Sequence, residues 1–154
     1  MIKIFIDGDA CPVVKEIIEI SQLNHEAPLE IVLVSSYSHT RNQEMPEHVQ
    51  QITVDPDREA ADLRIANLVT SEDVVVTDDF GLASLLLAKS ADVLSSRGTP
   101  ITNDSIDFQL DRRYHEAKLR KSNKYHKGPK PFKDEDREHF KDKLKIILRK
   151  KQEK

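Results

Sequence analysis

The chain opens with an apolar run, Ile2-Lys3-Ile4-Phe5-Ile6, that leads straight into Asp7-Gly8-Asp9 and then into Ala10-Cys11-Pro12. A short β-branched and aromatic run ending in acids, followed by a proline where a first helical turn tolerates one, predicts a buried strand feeding a helix. The same order recurs in Val74-Val75-Val76-Thr77-Asp78-Asp79-Phe80-Gly81. Strands that alternate with helices are expected to form a mostly parallel sheet covered on both faces, an α/β architecture. In such sheets ligands collect outside the carboxyl ends of the strands. Two strand ends tipped with aspartates therefore predict an acidic pocket at that edge.

Clustered carboxylates repel one another unless a cation or a proton neutralises them. Oxygen donors of this kind suit a hard divalent ion, so the expected cofactor is Mg²⁺ or Mn²⁺. An aspartate after a strand is also the ordinary N-cap of the next helix. Glu59 and Asp62 stand three residues apart in the first turns of a middle helix and present their carboxylates on one side, where the helix dipole favours them with or without metal. The candidate acids are therefore Asp7, Asp9, Glu59, Asp62, Asp78 and Asp79.

The rest of the chain reads as follows. Val13, Val14, Ile17, Ile18 and Leu23 give the stripe of the first helix, which Pro28 ends. Leu29–Val34 and Gln50–Val54 are strands separated by a polar loop, Ser35–Glu47. Asp57 is the expected N-cap of a helix reaching Val69, and an acidic strand spans Asp73–Thr77. Phe80–Lys89 is an apolar helix, Asp92–Leu94 a short strand, and Arg97-Gly98-Thr99-Pro100 a turn. Beyond Asn103 the expectation is helical: Asp104–Lys121, a break at Gly128-Pro129-Lys130-Pro131-Phe132, and a last amphipathic helix marked by Phe140, Leu144, Ile147 and Leu148.

A length of 154 residues predicts one domain, with an α/β core over 1–102 and a C-terminal helical extension over 103–154. No apolar run is long enough to cross a bilayer and no signal-like segment opens the chain, so the expected location is cytoplasmic, with no membrane partner. A single cysteine, Cys11, excludes an internal disulfide framework and multi-cysteine zinc sites. The six histidines show no metal-ligand spacing. The net charge of −3 conceals an asymmetry: residues 1–111 carry −13 and residues 112–154 carry +10. The basic segment predicts either a polyanion contact through Arg120, Lys121, Lys124 and Lys127, or helices folded back on the acidic body. Ser35, Arg41, Thr77 and Arg97 are further candidates for contacting substrate phosphates.

The motifs Asp7-Gly8-Asp9-Ala10-Cys11-Pro12-Val13, Glu59-Ala60-Ala61-Asp62, Val76-Thr77-Asp78-Asp79, Arg97-Gly98 and Gly128-Pro129-Lys130-Pro131-Phe132 with Asp136-Arg137 resemble, in order and over nearly the whole chain, the YaiI/YqxD family of uncharacterised bacterial proteins. That resemblance implies a PIN-like three-layer fold, whose better-known members are metal-dependent nucleases, and with it a nuclease, most readily a ribonuclease, acting on nucleic acid. Carried over by position, it implies Asp7 as the central ligand with Asp9 beside it, Asp62 supported by Glu59, and an acid after the later strand. Here the chain departs from the family pattern: Asp78-Asp79-Phe80-Gly81 has an extra acid and a glycine in place of a proline, which leaves Asp78 and Asp79 both open as the ligand.

Two other functions fit parts of the sequence. Asp7-Gly8-Asp9, Ser35 or Ser36, and Asp78-Asp79 also resemble the motif order of haloacid-dehalogenase-type phosphatases. Against this, Pro12 starts a helix at once where that fold needs a flap, and no lysine lies between Lys15 and Lys89. A non-catalytic module that docks on nucleic acid or ribosomes is the third reading; its aromatic stacking partners, Tyr114, Tyr125, Phe132 and Phe140, are few.

Overall fold

The computed structural model describes residues 2–8, 11–23, 29–36, 45–55, 60–107 and 132–152. Strand β1 (Ile2–Asp7) leads to helix α1 (Val14–Ser21), then β2 (Leu29–Ser36), β3 (Val49–Val54), α2 (Ala60–Leu68), β4 (Val74–Val76), α3 (Phe80–Ala88), β5 (Asp92–Leu94) and β6 (Pro100–Ile101). A helical segment at 103–107, α4, and the long α5 (Asp134–Gln152) complete the described elements.

The sheet order is β3-β2-β1-β4-β5-β6. All neighbours are parallel except β5 and β6. The expected three-layer α/β architecture is therefore present, with β1 central. Because β1 is buried on both sides, its residues divide between two cores. Ile2, Ile4 and Ile6 pack with α1 and with Phe140, Leu144 and Leu148 of α5, whereas Phe5 packs with Ala61 and Ile65 of α2 and Leu82 and Leu86 of α3. The alternation of side chains along a strand accounts for the division. Helix α5 is thus a member of one covering layer, as its stripe of Phe140, Leu144 and Leu148 predicts.

Several expected boundaries differ. Ser35 and Ser36 do not open a loop but continue β2, both buried and paired with Thr53 and Val54 of β3. The acidic strand is shorter than Asp73–Thr77. Buried Asp73 turns back to accept bonds from the Thr70 amide and hydroxyl (2.8 and 3.1 Å), and Thr77 lies just past the strand end. Pro100, read as a turn residue, belongs to β6, which pairs antiparallel with β5 at the edge, where a residue lacking an N–H is tolerated. Leu23 lies past the end of α1 and is exposed. Pro28, the Asp57 cap, residues 108–121 of the expected C-terminal helix and Gly128–Pro131 fall outside the described residues, as do Tyr114 and Tyr125.

Helix α5 meets the body through charge as well as through its apolar stripe. Arg137 pairs with Glu16 (3.1 Å), Lys141 with Glu19 (3.3 Å) and Lys151 with Asp92 (2.8 Å). The bond from Lys141 to the Glu19 carboxylate raises its ammonium pKa above the ordinary value. Part of the basic segment therefore does fold back on the acidic body. Gly98 permits the approach. Its φ is +84°, and a Cβ there would lie 2.9 Å from the Phe140 Cα, inside the backbone of α5.

Candidate active site at the β1 and β4 strand ends

From β1 the chain steps outward to β2 and β3, then returns to the other side of β1 for β4. The carboxyl ends of β1 and β4 therefore flank the point where the winding reverses, the place where open α/β sheets bind ligands. A cavity of about 310 Å³ lies there, lined by Asp7, Cys11, Val76, Thr77, Asp78, Asp79 and Ser96.

Asp7 is the last residue of β1, half-buried, and on strand alternation it shares the face of Phe5, the side covered by α2 and α3. The next residue must be small. Gly8 donates to the Val34 carbonyl (2.8 Å), and a Cβ on it would meet the Leu33 Cδ1 at 2.8 Å. Across the gap, the buried hydroxyl of Thr77 donates to Asp7 Oδ2 (3.2 Å) and accepts the Asp79 amide (3.1 Å). Its single proton is committed to Asp7, so Thr77 orients that carboxylate and ties it to the start of α3.

The two adjacent aspartates have different work. Both oxygens of Asp78 are taken by Ser96, one by its amide (2.8 Å) and one by its hydroxyl (2.6 Å). Asp79 is the N-cap of α3, with extended backbone, and its Oδ1 accepts the amides of Gly81 (2.8 Å) and Leu82 (3.1 Å). Among the described residues no bond is made to its Oδ2, and the side chain is exposed at the cavity. The cap role that any aspartate after a strand can take is thus realised at Asp79, on one oxygen only.

Asp62 stands in the first turn of α2, half-buried, next to Ala61 of the core on the Phe5 side. It is not among the residues lining the cavity. Asp9, Glu59 and Arg41 lie outside the described residues, as do Arg120, Lys121, Lys124 and Lys127. Ser35 is buried within β2. Arg97 is directed to the C-terminal helix, paired with Asp136 (3.1 Å) and 5.4 Å from the Phe132 ring centre. Among the described residues no three His, Cys, Asp or Glu side chains are gathered as ligands for a metal. Within that limit the fit to Mg²⁺ rests on Asp7 and Asp79. This ion is commonly held by one or two carboxylates, with waters and substrate phosphates completing its octahedron. Asp78 lines the same cavity and is exposed, but each of its oxygens already accepts one bond from Ser96, so its carboxylate is held in a fixed orientation at the wall.

Sequence reasoning did not single out Ser96. Its signal was available: a hydroxyl residue two positions past the end of β5, close to where Thr77 follows the end of β4. No described helix is long and apolar enough to cross a membrane.

Residues 5–150 match the model of a family described as uncharacterized BCR, YaiI/YqxD family. A UPF0178 protein of Bacillus cereus (strain B4264) is 48% identical over 146 residues, covering 95% of this chain and 98% of that protein. UPF0178 proteins of Bacillus thuringiensis subsp. konkukian (strain 97-27) and Bacillus anthracis (strain A0248) are 47% identical over the same length and coverage. No solved structure matches the chain. A family match across the fold, with close relatives covering almost the whole chain, places this protein in the YaiI/YqxD family.

Proposed function

We propose that this protein is a divalent-metal-dependent phosphodiester hydrolase acting on nucleic acid, with RNA as the favoured substrate. The observation that carries the reading is the placement of Asp7 and Asp79 in one cavity at the reversal point of the sheet, joined through Thr77. In that reading Asp7 and Asp79 hold Mg²⁺ or Mn²⁺, supplemented by Asp62 of α2 and by Asp9 and Glu59. Bound there, the cation would supply Lewis acidity toward a phosphate oxygen and a water of lowered pKa. Thr77 orients the Asp7 carboxylate through the bond its hydroxyl donates to Oδ2. The α3 N-terminus, already capped by Asp79, adds the positive end of a helix dipole beside the pocket. Ser96 fixes the orientation of the Asp78 carboxylate at the cavity wall through bonds to both of its oxygens.

The test is an incubation of the full chain with labelled RNA, single-stranded DNA and a phosphomonoester, with Mn²⁺ and with chelator, beside Asp7→Asn. Metal-dependent strand cleavage lost in Asp7→Asn is the expected result. Turnover of the monoester alone would instead identify a phosphatase. Binding of RNA without turnover of any substrate would leave a docking module.

A further inference from the structure

The family motifs Arg97-Gly98, Phe132 and Asp136-Arg137 lie outside the cavity, yet they converge on it. Two of the residues lining the cavity, Cys11 and Ser96, stand beyond the ends of β1 and β5. The residue after each is gripped by the first turn of α5. Arg137 Nη1 donates to the Pro12 carbonyl (2.7 Å) and to Glu16 Oε1 (3.1 Å). Arg97 Nη1 donates to Asp136 Oδ2 (3.1 Å), and the same carboxylate oxygen accepts the Lys133 amide (2.9 Å), which closes the start of the helix. His139 Nδ1 donates to the Arg97 carbonyl (2.7 Å). The Phe132 ring faces both guanidinium groups, at 5.4 and 4.9 Å.

We infer that Asp136 and Arg137 are positioning residues: as neighbours in one rigid helical turn, they fasten the Ser96 wall and the Cys11 wall and thereby set the width of the cavity. Their Cα atoms are about 3.8 Å apart whatever the loops do. The Ser96 wall is also the one that holds Asp78, so a shift there reaches the acids directly. The role deepens the hydrolase reading, since the spacing it fixes is that of the proposed site.

Cys11, the only thiol, supplies a readout that needs neither metal nor turnover. The rate of its alkylation by iodoacetamide is measured on the native full-length protein, well below the melting temperature. Arg97→Met opens the Asp136 side and leaves the helix cap in place. Arg137→Met opens the other side but strands Glu16, whose buried Oε2 has no hydrogen-bond partner among the described residues, so it is paired with Glu16→Gln to keep the protein folded. Lys141→Met, which breaks the other ion pair between α5 and α1, is the control. The expected result is an increase of roughly tenfold in both clasp variants, the size that loss of one charge-assisted hydrogen bond allows, with no increase in the control. Arg137→Lys should fall between wild type and the clasp variants. Equal rates in all proteins, or an equal rise in Lys141→Met, would overturn the inference. Mn²⁺ affinity, read on the same samples by calorimetry, is independent: a wild type that binds no Mn²⁺ removes the metal reading while the alkylation rates still decide the clasp.

Discussion

Asp79 combines two roles in one carboxylate, and substitution can separate them. Oδ1 caps α3, while among the described residues Oδ2 accepts no hydrogen bond and the residue lines the cavity. Replacement by serine preserves an acceptor for the Gly81 and Leu82 amides but removes the negative charge. Asp79→Ala is expected to lower stability by about 1 kcal/mol, the usual worth of an N-cap, and Asp79→Ser by much less. Under the hydrolase reading both should lose the Mn²⁺-dependent rise in melting temperature, because binding to the folded state alone is what produces that rise. Thermal melts with and without Mn²⁺ check the pair. A retained Mn²⁺ shift in Asp79→Ser would move the ligand role to another acid.

Helix α5 shows how an element that reads as a charged tail becomes part of the core. Its side facing the sheet places Phe140, Leu144 and Leu148 among Ile4, Ile6 and Ile17, with Phe140 and Leu144 completely buried. Phe140→Ala should therefore cost about 3–5 kcal/mol, a large share of the roughly 5–15 kcal/mol that stabilises a typical domain. Denaturant unfolding provides the measurement. A loss below about 1 kcal/mol would mean that α5 packs only peripherally, in disagreement with the layer described above. The same helix aligns its charges with its dipole: Asp134, Glu135 and Asp136 lie in the first turn, and Arg149, Lys150 and Lys151 in the last.

For the molecule taken whole, the question is what remains of the +10 balance once α5 is in place. Arg137, Lys141 and Lys151 face acids of the body. A polyanion contact then falls to the other cations of the segment, with Arg120, Lys121, Lys124 and Lys127 the candidates. If they contact single-stranded nucleic acid, the logarithm of affinity should fall with the logarithm of salt by about 0.7 per phosphate. Reversing all four charges should flatten that slope and leave Mn²⁺ binding unchanged. A gel-shift salt titration giving equal slopes for both proteins would assign the segment a purely structural part.

What the sequence determined by itself is whatever depends on near neighbours. The β-branched runs at Ile2–Ile6 and Val74–Val76 announced buried parallel strands, the spacing of Phe140, Leu144 and Leu148 announced a packed helix, and Asp7 and Asp79 were placed at the correct strand ends. The tertiary structure alone decided which of two adjacent aspartates is tied to Ser96 and which caps α3. The partner of Asp78 is Ser96, eighteen residues on, brought alongside because β4 and β5 pair. Likewise nothing local tells Arg137 that it will meet the Pro12 carbonyl 125 residues earlier. Periodicity and capping are properties of a few consecutive residues, whereas a hydrogen bond between strand ends depends on the winding order of the sheet, which the chain expresses only once it has folded.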